Sequence, residues 1–120
     1  MTQRYVILHH VSAADEHWDL MLEQGEVLLT WRLERDPTVA AGQPIRAQRI
    51  ADHPKRFLTY EGPLRHAPGS VRRVDAGNCV FHETGPDRYV FSPSGGRLSG
   101  CLLLERGPGD AWTLGRVTQP

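Results

Sequence analysis

Apolar positions recur at every second residue along much of the chain, in short runs that turn residues interrupt. A period of two marks strands with one face on a core and the other on water. The runs are Arg4–His10, His17–Glu23, Val27–Leu33, Arg46–Ala51, Ser70–Asp75, Asn78–Glu83, Arg88–Ser92, Arg97–Glu105 and Trp112–Val117. The second and third read as a hairpin around Gln24-Gly25. Further turns are expected at Ala76-Gly77, Gly85-Pro86-Asp87, Pro93–Gly96 and Gly107-Pro108-Gly109. Pro37–Pro44 is a loop of small residues, and Asp52–Tyr60, with Pro54 inside it, suits one helical turn. No long stretch repeats with a helical period. The expected fold is mainly β: a small closed β-barrel with one or two short helical segments, because closure leaves no open strand edge.

Length and composition narrow this only slightly. The 120 residues make one domain, 1–120, with no repeat or linker. No apolar run approaches the ~18–20 residues of a membrane span. The first ten residues lack the pattern of a secretory leader, so a cytoplasmic chain is expected. Cys79 and Cys101 sit in strand-like apolar runs, without CxxC spacing, and read as two reduced thiols. The formal net charge is zero, which speaks against non-specific binding to duplex DNA but not against binding a strand terminus. Thirteen of the 14 basic residues are arginine, the side chain that grips phosphate with two parallel hydrogen bonds, although biased codon usage explains the count equally well.

Candidate chemistry gathers near the N-terminus. His9, His10 and His17 are three of the six histidines. In His17–Glu23, alternation puts Trp18, Leu20 and Leu22 on the core face and His17, Asp19, Met21 and Glu23 on the other. His17 and Asp19 then stand side by side, ~6–7 Å apart at Cα. His10 joins them if the first two strands pair. Two imidazoles and a carboxylate suit Mn²⁺, Zn²⁺ or Fe²⁺ better than Mg²⁺ or Ca²⁺, which prefer oxygen shells. A water-facing, hydrogen-bonded His–Asp pair accounts for the same spacing. His53, in Ala51-Asp52-His53-Pro54, reads either as a loop histidine or as a proton donor or phosphate partner near the metal. Alternation puts Arg49 on the face of Ala51 and His53, where it would help hold an anion. Glu23 is either a group that orients a ligand or a solvated carboxylate. His66 and His82 read as structural or surface residues, and Trp31 and Trp112 as core aromatics.

The order of these segments resembles the 3′-phosphoesterase domain of bacterial DNA ligase D. Tyr5-Val6-Ile7-Leu8-His9-His10 followed by His17-Trp18-Asp19-Leu20-Met21-Leu22-Glu23 is similar to that family's strand ending in histidine and its His-Tyr-Asp-x-Arg-Leu-Glu segment. Leu29-Thr30-Trp31, Ala51-Asp52-His53-Pro54 with Tyr60-Glu61-Gly62, Leu98-Ser99-Gly100 through Leu104, and Trp112-Thr113-Leu114 continue the match over residues 4 to 117.

The resemblance implies a β-barrel that removes 3′-terminal ribonucleoside or phosphate groups from DNA ends using Mn²⁺, with Zn²⁺ or another divalent transition metal as the alternative. It implies His10, His17 and Asp19 as metal ligands inside the barrel and His53 as the catalytic group acting on the phosphate. The implied partners are DNA 3′ ends and separate ligase or polymerase chains, with no membrane and a monomeric state. Three departures stand out. The loop between His10 and His17 has six residues where the family has five, which keeps His9 as a rival to His10. Met21 and Phe57 occupy the positions of a phosphate-binding arginine and a tyrosine. Ile45 falls where an upstream arginine belongs, with Arg46 beside it. Losing one donor to a developing charge typically costs ~10²–10³ in rate. Arg46, Arg49 or Arg72 would have to compensate. Met21 and Phe57 equally suit a binding module without turnover, or a phosphoesterase for another small phosphodiester. A barrel whose histidines serve only its own hydrogen bonds is the remaining alternative.

Overall fold

The computed structural model describes residues 2–39 and 42–117. Nine strands form: β1 (Gln3–Val11), β2 (Glu16–Gln24), β3 (Val27–Leu33), β4 (Ile45–Pro54), β5 (Gly62–Pro63), β6 (Ser70–Glu83), β7 (Arg88–Ser94), β8 (Leu102–Arg106) and β9 (Trp112–Arg116). Two 3₁₀ turns, Lys55–Leu58 and Pro108–Asp110, are the helical segments among the described residues. The sheet runs β1-β2-β3-β4-β9-β8-β7-β6 and closes through β1–β6 pairing, while β5 flanks β6. The expected closed antiparallel barrel is present, and no helix among the described residues is long and apolar enough to cross a membrane.

The first hairpin folds as its alternation requires, but its turn is Gly25-Glu26, because Gln24 pairs with Val27 and Gly25 takes φ +61°. Tyr5 and Ile7 of β1, Leu20 and Leu22 of β2, Leu29, Trp31 and Leu33 of β3, and Phe91, Leu104 and Trp112 beyond them fill the barrel. A second, smaller cluster lies on the outside of β1–β2. Val6, Leu8, Met21, Leu28 and Val71 are covered there by Phe57 and Leu58 of the turn after β4. Tyr5–Leu8 is therefore buried on both faces. Burying one such side chain contributes roughly 1.5–3 kcal/mol.

Three expectations need correcting. Ala76-Gly77 is not a turn, because β6 runs through it without a break. Gly77 lies in the strand because a Cβ there would come within 2.3 Å of Ser94 O and 2.9 Å of the Tyr5 ring. Arg97–Cys101 is not strand. Asp75 accepts the backbone N–H groups of Arg97 and Leu98 and the Tyr5 hydroxyl, which pins the segment across the barrel end and drops Leu98 into the core. Burial pushes the Asp75 carboxyl up, but these donors outweigh it and hold it below its ordinary range. β4 reaches Pro54, past the expected Ala51. Part of the Pro37–Pro44 loop lies outside the described residues. Both cysteines are free thiols, and burial pushes the Cys79 thiol up to about 11.

Candidate metal centre

Register in the first hairpin dictates which side chains meet. Opposed residues of an antiparallel pair share a face. His10 pairs with His17, Leu8 with Asp19, and Val6 with Met21. Asp19 in turn pairs with Arg32, and Met21 with Thr30. Val6, Leu8 and Met21 belong to the outer cluster, so the whole row looks away from the barrel interior. The expected position inside the barrel is corrected accordingly. His9 projects to the opposite side, where it stacks on Trp18 at 4.7 Å and meets Glu16 at 2.6 Å. Strand parity thus puts His10, and not His9, on the face of His17 and Asp19.

Among the described residues, one group of potential ligand side chains converges: His10, His17 and Asp19, with ligand atoms all within 4.8 Å of one another. His10 Nδ1 lies 3.0 Å from His17 Nε2, and Asp19 Oδ2 lies 3.5 Å from His17 Nε2. The far sides of the rings fix their protons. His17 Nδ1 sits 2.9 Å from Asp15 Oδ2, and His10 Nε2 sits 2.8 Å from Pro68 O. Carboxylate and carbonyl oxygens only accept, so both nitrogens donate. In the neutral rings no proton is left for the inward nitrogens. Two lone pairs and a carboxylate therefore face one another, the arrangement that metal-ligating histidines adopt when outer groups orient them.

Asp19 is deeply buried, and burial raises its carboxyl above the ordinary range against the opposing charges of His17, Arg32, His53 and His10. Among the described residues its Oδ1 has no hydrogen-bond partner. It faces Arg32 Nε at 3.7 Å, and that atom is likewise buried and unpartnered. The hydrogen bond to His17 lowers the Asp15 carboxyl. Unsatisfied lone pairs around a buried carboxylate fit a cation in a way that a satisfied structural His–Asp pair does not.

His53 reaches the same face through a β-bulge. Thr30 pairs with Ile50 but Leu28 pairs with His53, so Ala51 and Asp52 together oppose one residue. The extra residue reverses the parity. His53 turns outward, where Nδ1 donates to Ala51 O at 2.9 Å and to Thr30 Oγ1 at 3.1 Å; the Thr30 hydroxyl itself donates to Leu28 O. Among the described residues Nε2 meets no hydrogen-bond partner. Arg49 stays inward, its guanidinium 4.5 Å from the Trp31 ring centre and 3.6 Å from Asp52. Its expected place on the face of His53 is corrected by the bulge. Arg46 is outward and exposed, two strands from Asp19, in a groove shared with Arg32 and Gln48.

A protein-family model described as the DNA Ligase D 3′-phosphoesterase domain matches residues 8–106. The chain belongs to that family. The Mycobacterium bovis relative, "Multifunctional non-homologous end joining protein LigD", is 30% identical over 122 residues, covering 94% of this chain. "Multifunctional non-homologous end joining DNA repair protein LigD" of Mycobacterium tuberculosis matches to the same extent. This chain spans 16% of the length of either relative. Met21 and Phe57 lie together in the outer apolar cluster, with Met21 only 1% exposed.

Sequence reasoning missed Asp15, Thr30, Arg32 and the Pro68 carbonyl. Arg32 was hidden by the turn: a turn at Gln24-Gly25 opposes Asp19 to Thr30, and only the observed turn at Gly25-Glu26 opposes it to Arg32. Pro68 was hidden because it arrives from 58 residues away. Gly69 is what lets that segment approach: its φ is +92°, and a Cβ there would meet Val11 O at 2.2 Å. Glu23 is neither a ligand-orienting group nor solvated. It pairs with Arg4 at 2.7 Å and Lys55 at 3.0 Å, which hold its carboxyl down to about 2.

Proposed function

We propose that this chain is a divalent-metal-dependent 3′-phosphoesterase that trims phosphate or ribonucleotide groups from the 3′ ends of DNA in repair, with manganese as the cation. One observation carries the proposal: the inward His10 and His17 nitrogens and the Asp19 carboxylate converge, while Pro68 O and Asp15 take the outer N–H groups of the two rings. Membership of the family and the end-joining names of the mycobacterial relatives support the substrate class.

His10, His17 and Asp19 would hold the cation, which when bound supplies Lewis-acid polarisation of a phosphoryl oxygen. Asp15 and the Pro68 carbonyl keep the two rings in the tautomers this requires. His53 would exchange a proton with the oxygen that leaves, through the Nε2 that its hydrogen bonds leave free. Arg32 is the cation placed against Asp19, and it would take up charge where Met21 has no donor. The reading gives neither Arg46 nor Arg49 the first contact with phosphate. A 3′-hydroxyl left behind is the end that a separate polymerase or ligase uses.

The test is a primer ending in a 3′-phosphate or a 3′-ribonucleotide, incubated with and without Mn²⁺. Conversion to a 3′-hydroxyl that depends on the metal and is lost in His17→Ala and His53→Ala is expected. No processing with Mn²⁺, Zn²⁺ or any other divalent ion would overturn the proposal. Burial of Met21 and Phe57 in an apolar cluster favours a second reading, a module that binds such ends without turnover. Tight, metal-dependent binding with no product would select it.

A further inference from the structure

Two open grooves flank the candidate centre, and their charges differ. One runs past His17, Arg32, Gln48 and Arg46, but Asp15, Glu16, Glu34 and Asp110 also line it. Arg49 and Arg106 line it too, so four carboxylates face four arginines and the lining offers a polyanion no net positive charge. The other lies on the far side of Met21, between His53 and the segment after β4. It is lined by Arg56, Phe57, Tyr60, Leu64, Arg65 and His66, among others, and among the described residues by no carboxylate. Among the described residues, Arg56, Arg65 and His66 form no salt bridge. All three are exposed. In contrast, Arg88 and Arg106 are each held by two carboxylates.

This second pocket is physically joined to the centre. His53 forms one wall, with its ring edge-on to Phe57 at 5.4 Å, and Phe57 is edge-on to Tyr60 at 5.7 Å. Ala67 forms another wall, and the next residue, Pro68, accepts the hydrogen bond from His10. The Arg56 guanidinium lies 4.8 Å from the Phe57 ring centre, a flat cationic plane over an aromatic one. Tyr60 is tied by its hydroxyl to Pro63 O, which fixes the ring as part of the lining. Aromatic and guanidinium planes accept nucleobases by stacking, while unpaired cations accept phosphate.

We propose that this pocket binds the terminal nucleotide of a nucleic-acid strand, its base against Tyr60 and Arg56 and its phosphate between Arg65 and His53. The inference rests on the phosphoesterase reading for the direction of the strand, but binding and turnover are measured separately. The strand then runs over the 53–67 side of the barrel and not along the groove of Arg46. The ligand chemistry is a nucleoside 3′-phosphate, carried by a strand end.

Titration calorimetry with three probes tests it: inorganic phosphate, a nucleoside 3′-monophosphate, and a short single-stranded DNA ending in a 3′-phosphate. The oligonucleotide is expected to bind at least as tightly as the mononucleotide, and both more tightly than inorganic phosphate. Arg56→Gln and Arg65→Gln should each weaken the oligonucleotide about fivefold, as loss of one exposed charge contact does. Arg46→Gln should leave it unchanged. These are exposed side chains, and unchanged thermal unfolding would certify the fold. Equal affinity for phosphate and oligonucleotide overturns the pocket, as does an Arg46→Gln loss matching that of Arg65→Gln. Mononucleotide binding with exclusion of the oligonucleotide overturns the strand end as its occupant. Binding that follows the expected pattern without hydrolysis would keep the pocket and remove the phosphoesterase, and hydrolysis untouched by Arg56→Gln and Arg65→Gln would do the reverse.

Discussion

His10 Nδ1 and His17 Nε2 face each other across 3.0 Å while each ring donates its proton on the far side, to Pro68 O and to Asp15. Such a pair is poorly satisfied alone and well satisfied around a cation. Mn²⁺ at a hundred times its dissociation constant should stabilise the fold by about 2.7 kcal/mol. That corresponds to a rise in Tm of roughly 10 °C. A chelator should reverse the rise and His17→Ala should abolish it. Identical melting curves with and without metal would contradict the arrangement.

Asp15 tests the role of the outer groups. Its side chain is largely exposed and touches His17 Nδ1 without reaching the inward nitrogens. Asp15→Asn should weaken metal binding by about 10–100-fold, as loss of a ligand-orienting partner does. Competition against a fluorescent chelator reads this directly, and unfolding in urea should change little.

Met21→Arg should not simply restore a phosphate clamp. The site is 1% exposed and packed among Val6, Leu8, Leu28 and Phe57. A guanidinium there displaces that apolar packing, and the carboxylates beside it on the strand face, Asp19 and Glu23, already face Arg32 and Arg4, so a loss on the order of 3 kcal/mol is expected. Met21→Leu, which conserves volume, should cost less than about 1.5 kcal/mol. Equal urea midpoints for the two variants would show that the cluster opens readily.

Glu23 sets part of the acid limit. Hydrogen bonds from Arg4, against a smaller effect of burial and with help from Lys55, hold its folded carboxyl down to about 2, below its ordinary 4.5. A depressed carboxyl stabilises above its unfolded value and loses that stability as pH falls through the folded one. The contribution, about 1–2 kcal/mol after discounting for the half-exposed Arg4 partner, should therefore disappear between about pH 5 and 2. Glu23→Gln should be less stable at pH 7 and flatter across that window. An unchanged acid limb in the variant would reject this.

Alternation in the sequence specified the strands of the first hairpin, its core face of Trp18, Leu20 and Leu22, and the shared face of His17 and Asp19. Those follow from a two-residue repeat and a tight turn, which act within a dozen residues. Motif order was enough to point to the phosphoesterase family. Beyond that range the sequence was silent. Arg97–Cys101 reads as strand, yet two backbone hydrogen bonds, from Arg97 and Leu98 to Asp75, take it out of the sheet.

The sequence by itself determined the β content and the donor chemistry of the His/His/Asp set, with His9 and His10 both open as its first histidine. Tertiary structure decided which side of the wall that set occupies. Closure made Trp31, Phe91 and Trp112 the interior and left the histidines outside, under a second layer contributed by Phe57 and Leu58. It also decided that His53 and Arg49 part company, because one inserted residue in β4 reverses parity. A bulge is set by how β4 must bend to pair with β3 below and β9 above, a constraint no local pattern carries.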